Sequence, residues 1–192
     1  MQTNRLFYAM PLAALLTLGV AAAQTRTRRN APAAAPRTVV GIEALDFEND
    51  AYTLGGQTYR LIGGYYARGA APGAQWELRL AETPSYGDLT GDGRNEAVVV
   101  LSHGEVGGPH TVEARVYTLR QGRAALLATF PLADALSCDL DHYVDLDDGK
   151  VRLERVYGQA GRCGHNELGE YRWDGAKFMP VGEARTMPCR CM

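Results

Sequence analysis

The sequence lacks the short motifs that identify several large enzyme classes. It contains no G-x-S-x-G nucleophile elbow, no P-loop, no H-E-x-x-H pair and no four-residue cysteine and histidine set at zinc-site spacing. Each motif has a fixed spacing because a short stretch of backbone must position the nucleophile, the phosphate or the metal. Ser85, Ser102 and Ser137 therefore have no sequence feature that marks them as nucleophiles.

The chain also lacks an apolar run of the ~20 residues that a membrane-spanning helix needs. Its apolar stretch at residues 9–22 is interrupted by Pro11, follows the positive Arg5, and ends in the small residues Ala21-Ala22-Ala23. That arrangement is typical of a secretory signal peptide, which we predict over residues 1–23. Gln24, and not a cysteine, stands directly after the predicted cleavage site, so acyl anchoring through a lipidated N-terminal cysteine is not indicated. We therefore expect an exported mature chain, periplasmic or extracellular, without a transmembrane segment.

The part of the chain that is predicted to fold, residues 38–192, has no excess of positive charge. Residues 24–37 are rich in Ala, Pro and Arg and predict a disordered linker, interpreted as a solvated tail. All 22 acidic residues follow this linker, whereas five of the 20 Lys and Arg residues lie at or before Arg37, which leaves residues 38–192 with a net charge of −7. That charge argues against nucleic-acid binding by the folded domain and suits a cation ligand.

The sequence shows little helical periodicity. Most of its patterned segments instead alternate apolar and polar residues. Residues 75–80 place Trp76, Leu78 and Leu80 on one face, and residues 111–119 alternate in the same way. The apolar run 97–101 is typical of a buried strand. The sequence therefore predicts a single all-β domain over residues 38–192, an antiparallel meander closed as a barrel or sandwich. Short helical turns are expected only within 42–47 or 132–137.

Three pairs of turn residues predict β-hairpins. The Asp148-Gly149 turn sets Asp147 opposite Lys150 and Leu146 opposite Val151, so charges pair on one face and apolar groups on the other. The Gly55-Gly56 turn sets Tyr52 opposite Tyr59. A two-residue turn at Asp174-Gly175 sets Tyr171 opposite Phe178, although it also places Arg172 beside Lys177.

The stretch from residue 87 to residue 101 carries the strongest chemical signal. Oxygen-bearing side chains alternate at Asp88, Thr90 and Asp92, Gly93 permits a sharp turn, and Glu96 adds a further carboxylate before the apolar run. A hard cation such as Ca²⁺ takes six to eight oxygen ligands, which such a loop supplies from neighbouring residues. The alternative is a plain glycine-rich turn between two strands.

Counted from Asp88, the loop begins like an EF-hand but has Val99 at position twelve, where an EF-hand needs a bidentate Glu. It resembles instead the calcium loops of FG-GAP/VCBS-type repeats, the integrin-like blades, and the single GDG loop of small secreted bacterial proteins. The resemblance implies a Ca²⁺ ligand set, namely Asp88, Thr90, Asp92, the Arg94 carbonyl and Glu96. Thr90 stands where the family has Asp or Asn, which implies a lower affinity. A propeller is disfavoured, because the motif occurs once.

Four cysteines follow the predicted signal peptide, an even number that predicts disulfides in an exported chain. Cys138 and Cys163 flank the Asp148-Gly149 hairpin, so we predict a bridge between them that closes its open end. Cys189 and Cys191 then pair with each other or stay free. A structural role is favoured over a redox pair or a soft-metal site at the C-terminus.

Two other groups of residues could form a metal or catalytic site. His103, Glu105 and His110 could form a transition-metal cluster, but a glycine-rich turn separates them and loop residues are the simpler interpretation. Alternate acids at Asp139, Asp141, Asp145 and Asp147 could form a second cation site or a hydrolytic carboxylate pair. Their alternation with apolar residues is explained more simply by a solvent-facing strand side.

The sequence thus favours an exported, non-catalytic β module with a structural Ca²⁺ loop. The alternatives are an exported hydrolase with acids near that loop, and a module that presents the loop at residues 104–110 to an envelope protein partner. No sequence feature identifies the partner or the physiological process.

Overall fold

The computed structural model of this protein describes residues 41–69, 75–136, 142–159 and 162–189. The predicted signal peptide and linker lie outside these ranges. The described residues form 3₁₀ turns at Ile42–Ala44 and Phe47–Asn49 and a series of strands. The strands are β1 Ala51–Leu54, β2 Gln57–Arg60, β3 Tyr65–Arg68, β4 Trp76–Leu80, β5 Ser85–Gly87, β6 Glu96–Glu105, β7 His110–Arg120, β8 Arg123–Leu136, β9 Val144–Asp147, β10 Lys150–Gln159, β11 Arg162–Trp173, β12 Phe178–Pro180 and β13 Arg185–Met187.

The predicted all-β, antiparallel fold is confirmed, because every strand pairing within the described residues is antiparallel. The strands form a hairpin of β1 and β2, a central sheet in the order β3-β4-β6-β7-β8, and an outer sheet in the order β12-β11-β10-β9. β5 joins the central sheet beside β6, and β13 joins the outer sheet beside β11. Of the two windows expected to contain a helical turn, the first does, whereas Leu132 lies within β8.

The central sheet is packed on both faces, which explains why the run 97–101 does not alternate. Val98 and Val100 face the outer sheet, where they pack with Val151 and Leu153 of β10. This core also contains Val112, Ala114 and Val116, which the alternation of β7 predicted to share a face. Successive residues of a strand point to opposite faces, so a strand covered on both sides must be apolar throughout.

A second core lies on the other face of the central sheet. Val99 and Leu101 pack there against Tyr52 and Tyr59 of the β1–β2 hairpin and against Phe47 of the second 3₁₀ turn. Tyr52 also donates a hydrogen bond from its hydroxyl to the Phe47 carbonyl at 2.7 Å. The hairpin is therefore a third layer over the central sheet.

Two of the three predicted hairpin registers are confirmed. Tyr52 lies opposite Tyr59 in the β1–β2 hairpin, and Leu146 lies opposite Val151 in the β9–β10 hairpin. The register predicted for Asp174-Gly175 is wrong, since Trp173 lies opposite Phe178. The turn there spans residues 174–177, because the Asp174 carboxylate accepts hydrogen bonds from the amides of Ala176 and Lys177.

The predicted disulfide pairing is wrong, because Cys163 is bonded to Cys189. Neither of the two predicted bridges, Cys138 with Cys163 and Cys189 with Cys191, is therefore formed; Cys138 and Cys191 themselves lie outside the described residues. The reason is the antiparallel pairing of β13 with β11, in which Asn166 lies opposite Met187. Continuing that register brings residue 189 beside residue 164, next to Cys163, which no local pattern in the sequence indicates.

Candidate functional site

The predicted metal loop connects β5 with β6, and its two ends are held together by the pairing of Gly87 with Glu96. Gly91 and Gly93 adopt φ values of 76° and 83°. Those values lie in the left-handed region, which glycine adopts without a steric penalty. The two glycines therefore allow residues 88–96 to curl into a compact loop, as the sequence pattern predicts.

The carboxylate of Asp88 organises the loop backbone. Its Oδ1 accepts a hydrogen bond from the Gly91 amide at 2.7 Å, and its Oδ2 accepts one from the Gly93 amide at 2.9 Å. Asp92 forms a smaller turn, in which Oδ1 accepts from the Arg94 amide at 2.9 Å. Aspartate side chains commonly accept hydrogen bonds from amides a few residues further along the chain in this way.

Glu96 is the most unusual residue of the loop, because its side chain is completely buried. One oxygen, Oε2, accepts hydrogen bonds from the amides of Leu89 and Thr90 at 3.0 and 3.1 Å. The other, Oε1, is buried and has no hydrogen-bond partner among the described residues. A buried carboxylate oxygen without a donor or a cation costs free energy, so this atom calls for an explanation.

The structure places all five predicted ligand residues on one loop but does not draw their carboxylates together. Within the described part of the chain, no group of three or more His, Cys, Asp and Glu side chains has a metal-binding arrangement. The Asp88, Asp92 and Glu96 carboxylates are instead hydrogen-bonded to amides of the loop itself. Coordination of a cation would therefore require a change in side-chain directions within the loop.

The donor chemistry nevertheless fits a hard cation. The candidate atoms are all oxygens: three carboxylates, the Thr90 hydroxyl and the Arg94 carbonyl. A carboxylate oxygen that accepts one hydrogen bond keeps a second lone pair, so Asp88 can hold the loop amides and a cation at once. Val99, the EF-hand closing position, is fully buried in the core against the β1–β2 hairpin and cannot take part.

The base of the loop touches the outer sheet. Leu89 is buried in the core between the two sheets. A Cβ atom placed on Gly149, in the β9–β10 turn, would lie 3.4 Å from the Asp88 carbonyl oxygen. Order in the loop is therefore coupled by direct contact to the β9–β10 hairpin.

The alternative metal cluster at His103, Glu105 and His110 is not formed, and the favoured interpretation of these residues as loop residues is wrong, because they belong to β6 and β7. His103 and His110 belong to opposite faces of the central sheet: His103 lies beside the Trp76 ring at a centroid distance of 5.9 Å, whereas His110 lies against the neighbouring strand. Burial lowers the pKa of His103. Glu105, the last residue of β6, contributes its carbonyl oxygen to His110, 3.1 Å from Nε2, and not its carboxylate.

A hydrogen-bonded chain that sequence reasoning missed runs through His110. Its Nδ1 lies 3.0 Å from the Ser102 hydroxyl, and its Nε2 lies 3.4 Å from a carboxylate oxygen of Glu77. Ser102 is fully buried, so a substrate cannot reach its hydroxyl. Gly104 makes room for the imidazole, since a Cβ there would lie 2.6 Å from His110 Cδ2. We interpret the chain as a structural link between β4, β6 and β7.

The acidic residues of β9 face solvent on the outer sheet, as their alternation suggested. Arg152 lies 3.6 Å from Asp145 and 2.6 Å from Asp147. These acids are thus engaged in ion pairs with a neighbouring strand. The other two acids of the predicted set, Asp139 and Asp141, lie outside the described residues.

No helix within the described ranges is long and apolar enough to cross a membrane. No protein-family model, curated protein or solved structure matches the chain. The likeness of the Asp88–Glu96 loop to FG-GAP-type calcium loops consequently stays a prediction.

Proposed function

We propose that this protein is an exported, non-catalytic β module in which the loop from Asp88 to Glu96 binds Ca²⁺ as a structural ion. The observation that carries the proposal is the buried Glu96 carboxylate, of which one oxygen has no partner among the described residues. A cation at the loop would satisfy that oxygen and balance the negative charge of Glu96 and the two aspartates.

The unengaged oxygens of the loop support the same proposal. Glu96 Oε1, the second oxygen of Asp92 and the Thr90 hydroxyl have no hydrogen-bond partner among the described residues. Together with Asp88 and the Arg94 carbonyl they amount to five oxygen donors, and water supplies further ligands in most Ca²⁺ sites. Extracellular Ca²⁺ modules have dissociation constants of about 10⁻⁴ to 10⁻³ M, so a site of modest affinity is filled outside the cell.

The proposal is tested by thermal melting in millimolar Ca²⁺ and in chelator. Binding to the native state at about one hundred times Kd contributes about 2.7 kcal/mol. We expect wild type to gain stability in Ca²⁺ and Glu96→Gln to lose most of that gain while its metal-free form stays folded. Gln keeps an oxygen that accepts from the Leu89 and Thr90 amides, so the metal-free loop retains its hydrogen bonds.

Asp92→Asn and Glu105→Gln complete the set. Asp92→Asn should reduce the Ca²⁺ gain as Glu96→Gln does, because it removes a charged ligand and keeps the turn. Glu105→Gln is the matched control, an exposed glutamate at the other end of β6, and should keep the full gain. Equal melting of wild type in Ca²⁺ and in chelator would refute the proposal.

A further inference from the structure

The outer face of the outer sheet carries a groove of about 680 Å³. Its floor is formed by β9, β10 and β11, and residues 181–185 form one wall. The volume lies within the ~300–1,000 Å³ that is typical of small-molecule sites. The groove is remote in sequence from the Asp88–Glu96 loop and does not depend on the Ca²⁺ proposal.

Some charges at the groove are paired with one another, whereas the lining residues Glu154, Glu183 and Arg185 have no ion pair among the described residues. Arg152 contacts Asp145 at 3.6 Å and Glu170 at 3.0 Å, and Lys150 lies 3.3 Å from Glu170. The side-chain hydrogen bonds to Arg152 and Lys150 lower the pKa of Glu170, which keeps that carboxylate ionised. These groups form a closed network and leave little capacity for a ligand.

Glu154 is the exception among the acids of the groove floor. Its Oε1 accepts a hydrogen bond from Nδ2 of Asn166 at 2.7 Å, and Asn166 is completely buried. A buried amide with few alternative orientations fixes the direction of the carboxylate that it contacts. Glu154 has no cationic partner among the described residues, although it is only partly exposed.

A positive group stands on the other side of the groove floor. The register places Glu154 opposite Leu168, and Leu168 opposite Arg185, so the three side chains share one face in a single row. Two strand spacings separate the backbones of Glu154 and Arg185 by about 10 Å. The side-chain contact of Arg185 within the described residues is with the Met187 sulfur at 3.7 Å, a weak acceptor that leaves guanidinium donors free.

The space between the two charges is apolar. Leu168 lies between Glu154 and Arg185, and Val181, which is 39% exposed, lies in the next row opposite Glu170, with Glu183 on the same wall. The Val181 amide donates a hydrogen bond to the Glu170 carbonyl at 2.8 Å, which fixes this wall to the sheet. The groove therefore presents a carboxylate, an apolar strip and a guanidinium in line.

We propose that this groove binds a short peptide with free termini. The ligand's ammonium group contacts Glu154, its carboxylate contacts Arg185, and its apolar side chains lie on Leu168 and Val181. An extended dipeptide is about 7 Å long, which fits between two long side chains that share one face and whose backbones lie about 10 Å apart. Charge-assisted hydrogen bonds at both ends make the site selective for a zwitterion.

The probe is the dipeptide Leu-Leu, titrated into the full mature chain and followed by calorimetry. Three modified forms are titrated beside it: N-acetylated, C-amidated, and blocked at both ends. We expect the free dipeptide to bind and each single block to reduce the affinity at least tenfold. The Glu154→Gln and Arg185→Gln variants should each weaken the free dipeptide by a similar factor.

The most specific test measures the binding of each blocked dipeptide to each variant. N-acetylation should have little further effect on Glu154→Gln, and amidation little further effect on Arg185→Gln, because each removes an interaction already lost. Glu105→Gln and Arg120→Gln, which alter exposed residues of the central sheet, serve as matched controls and should bind as wild type does. Absence of binding to wild type, equal binding of the doubly blocked peptide, or equal loss in the controls would overturn the proposal.

Discussion

The two large sheets of this protein differ in how many of their faces are covered. The central sheet has a core on each face, and residues 97–101 of β6 are all buried. The outer sheet contributes Val151 and Leu153 to one core, whereas Lys150 and Arg152 on the same strand belong to its open face. The middle of β6 in the first sheet has no side chain available for a ligand, whereas the second sheet has a row of them on its open face.

That difference determines where each sheet can carry a site. On the buried strand β6 a site must lie at a strand end, and the Asp88–Glu96 loop is such a place. In the outer sheet a site can form on the strands themselves, as Glu154 and Arg185 do. The loop is defined by consecutive residues, whereas the groove depends on pairing between β10, β11 and β13.

The largest expected effect on the free energy of unfolding comes from a truncation in the core of the central sheet, which is covered on both faces. Leu101 is fully buried, and Leu101→Ala should reduce the free energy of unfolding by about 2–5 kcal/mol. Leu168→Ala is the matched change on the open face of the outer sheet and should cost less than about 1.5 kcal/mol, since Leu168 is partly exposed. Urea denaturation of both variants measures the contrast, and equal losses would contradict the three-layer description.

The disulfide provides the next largest effect, and it concerns the outer sheet. Cys163 and Cys189 are separated by 26 positions in sequence, so their bridge should contribute about 3 kcal/mol in the chain-entropy description. The double variant Cys163→Ser, Cys189→Ser should lose about that stability. Hydrogen exchange should accelerate first in β13, which the bridge holds beside β11, and remain slow in β6. Faster exchange in β6 than in β13 would contradict this assignment.

Local patterns in the sequence are sufficient to predict the strands and the registers of the tight hairpins. The β1–β2 and β9–β10 registers follow from glycine turns and from the cross-strand pairing of apolar groups with each other and of opposite charges with each other. A two-residue turn at Asp174-Gly175 predicts the wrong register. The Asp174 side chain accepts hydrogen bonds from two amides, and the loop is therefore four residues long. Competition between side-chain and main-chain acceptors is not visible in the turn residues alone.

Features that depend on distant pairing could not be predicted in the same way. The Cys163–Cys189 bridge, the contact of His110 with Glu77, and the row from Glu154 to Arg185 all require the registers of non-adjacent segments. The apolar run 97–101 predicted burial but not which layers cover it. The Glu96 carboxylate was singled out by its place in the loop, whereas its complete burial emerges only from the fold.

A paired change separates the core of β6 from the loop at its start. Val99→Ala removes buried methyl groups and should lower the stability of the metal-free protein by about 1–3 kcal/mol. It leaves every proposed ligand in place, so the gain in melting temperature on adding Ca²⁺ should equal that of wild type. Glu96→Gln should behave in the opposite way. If Val99→Ala loses the Ca²⁺ gain while its metal-free form melts as wild type does, strand and loop do not have the separate roles assigned to them.

The smallest expected effect concerns pH and the central sheet. Burial lowers the pKa of His103, and the nearby Arg115 and His110 act in the same direction, whereas Glu113 opposes them. The unfolded chain then binds a proton at His103 more readily than the native protein does. The stability contributed by neutral His103 is therefore fully present above the unfolded pKa of about 6.5 and is lost as the pH falls below it.

His103→Gln removes this dependence. The difference in unfolding free energy between wild type and variant should therefore stay constant above pH 7.5 and move in favour of the variant between pH 6.5 and pH 5. Urea denaturation across that range measures it, and a difference that moves in favour of wild type on acidification would contradict the lowered pKa.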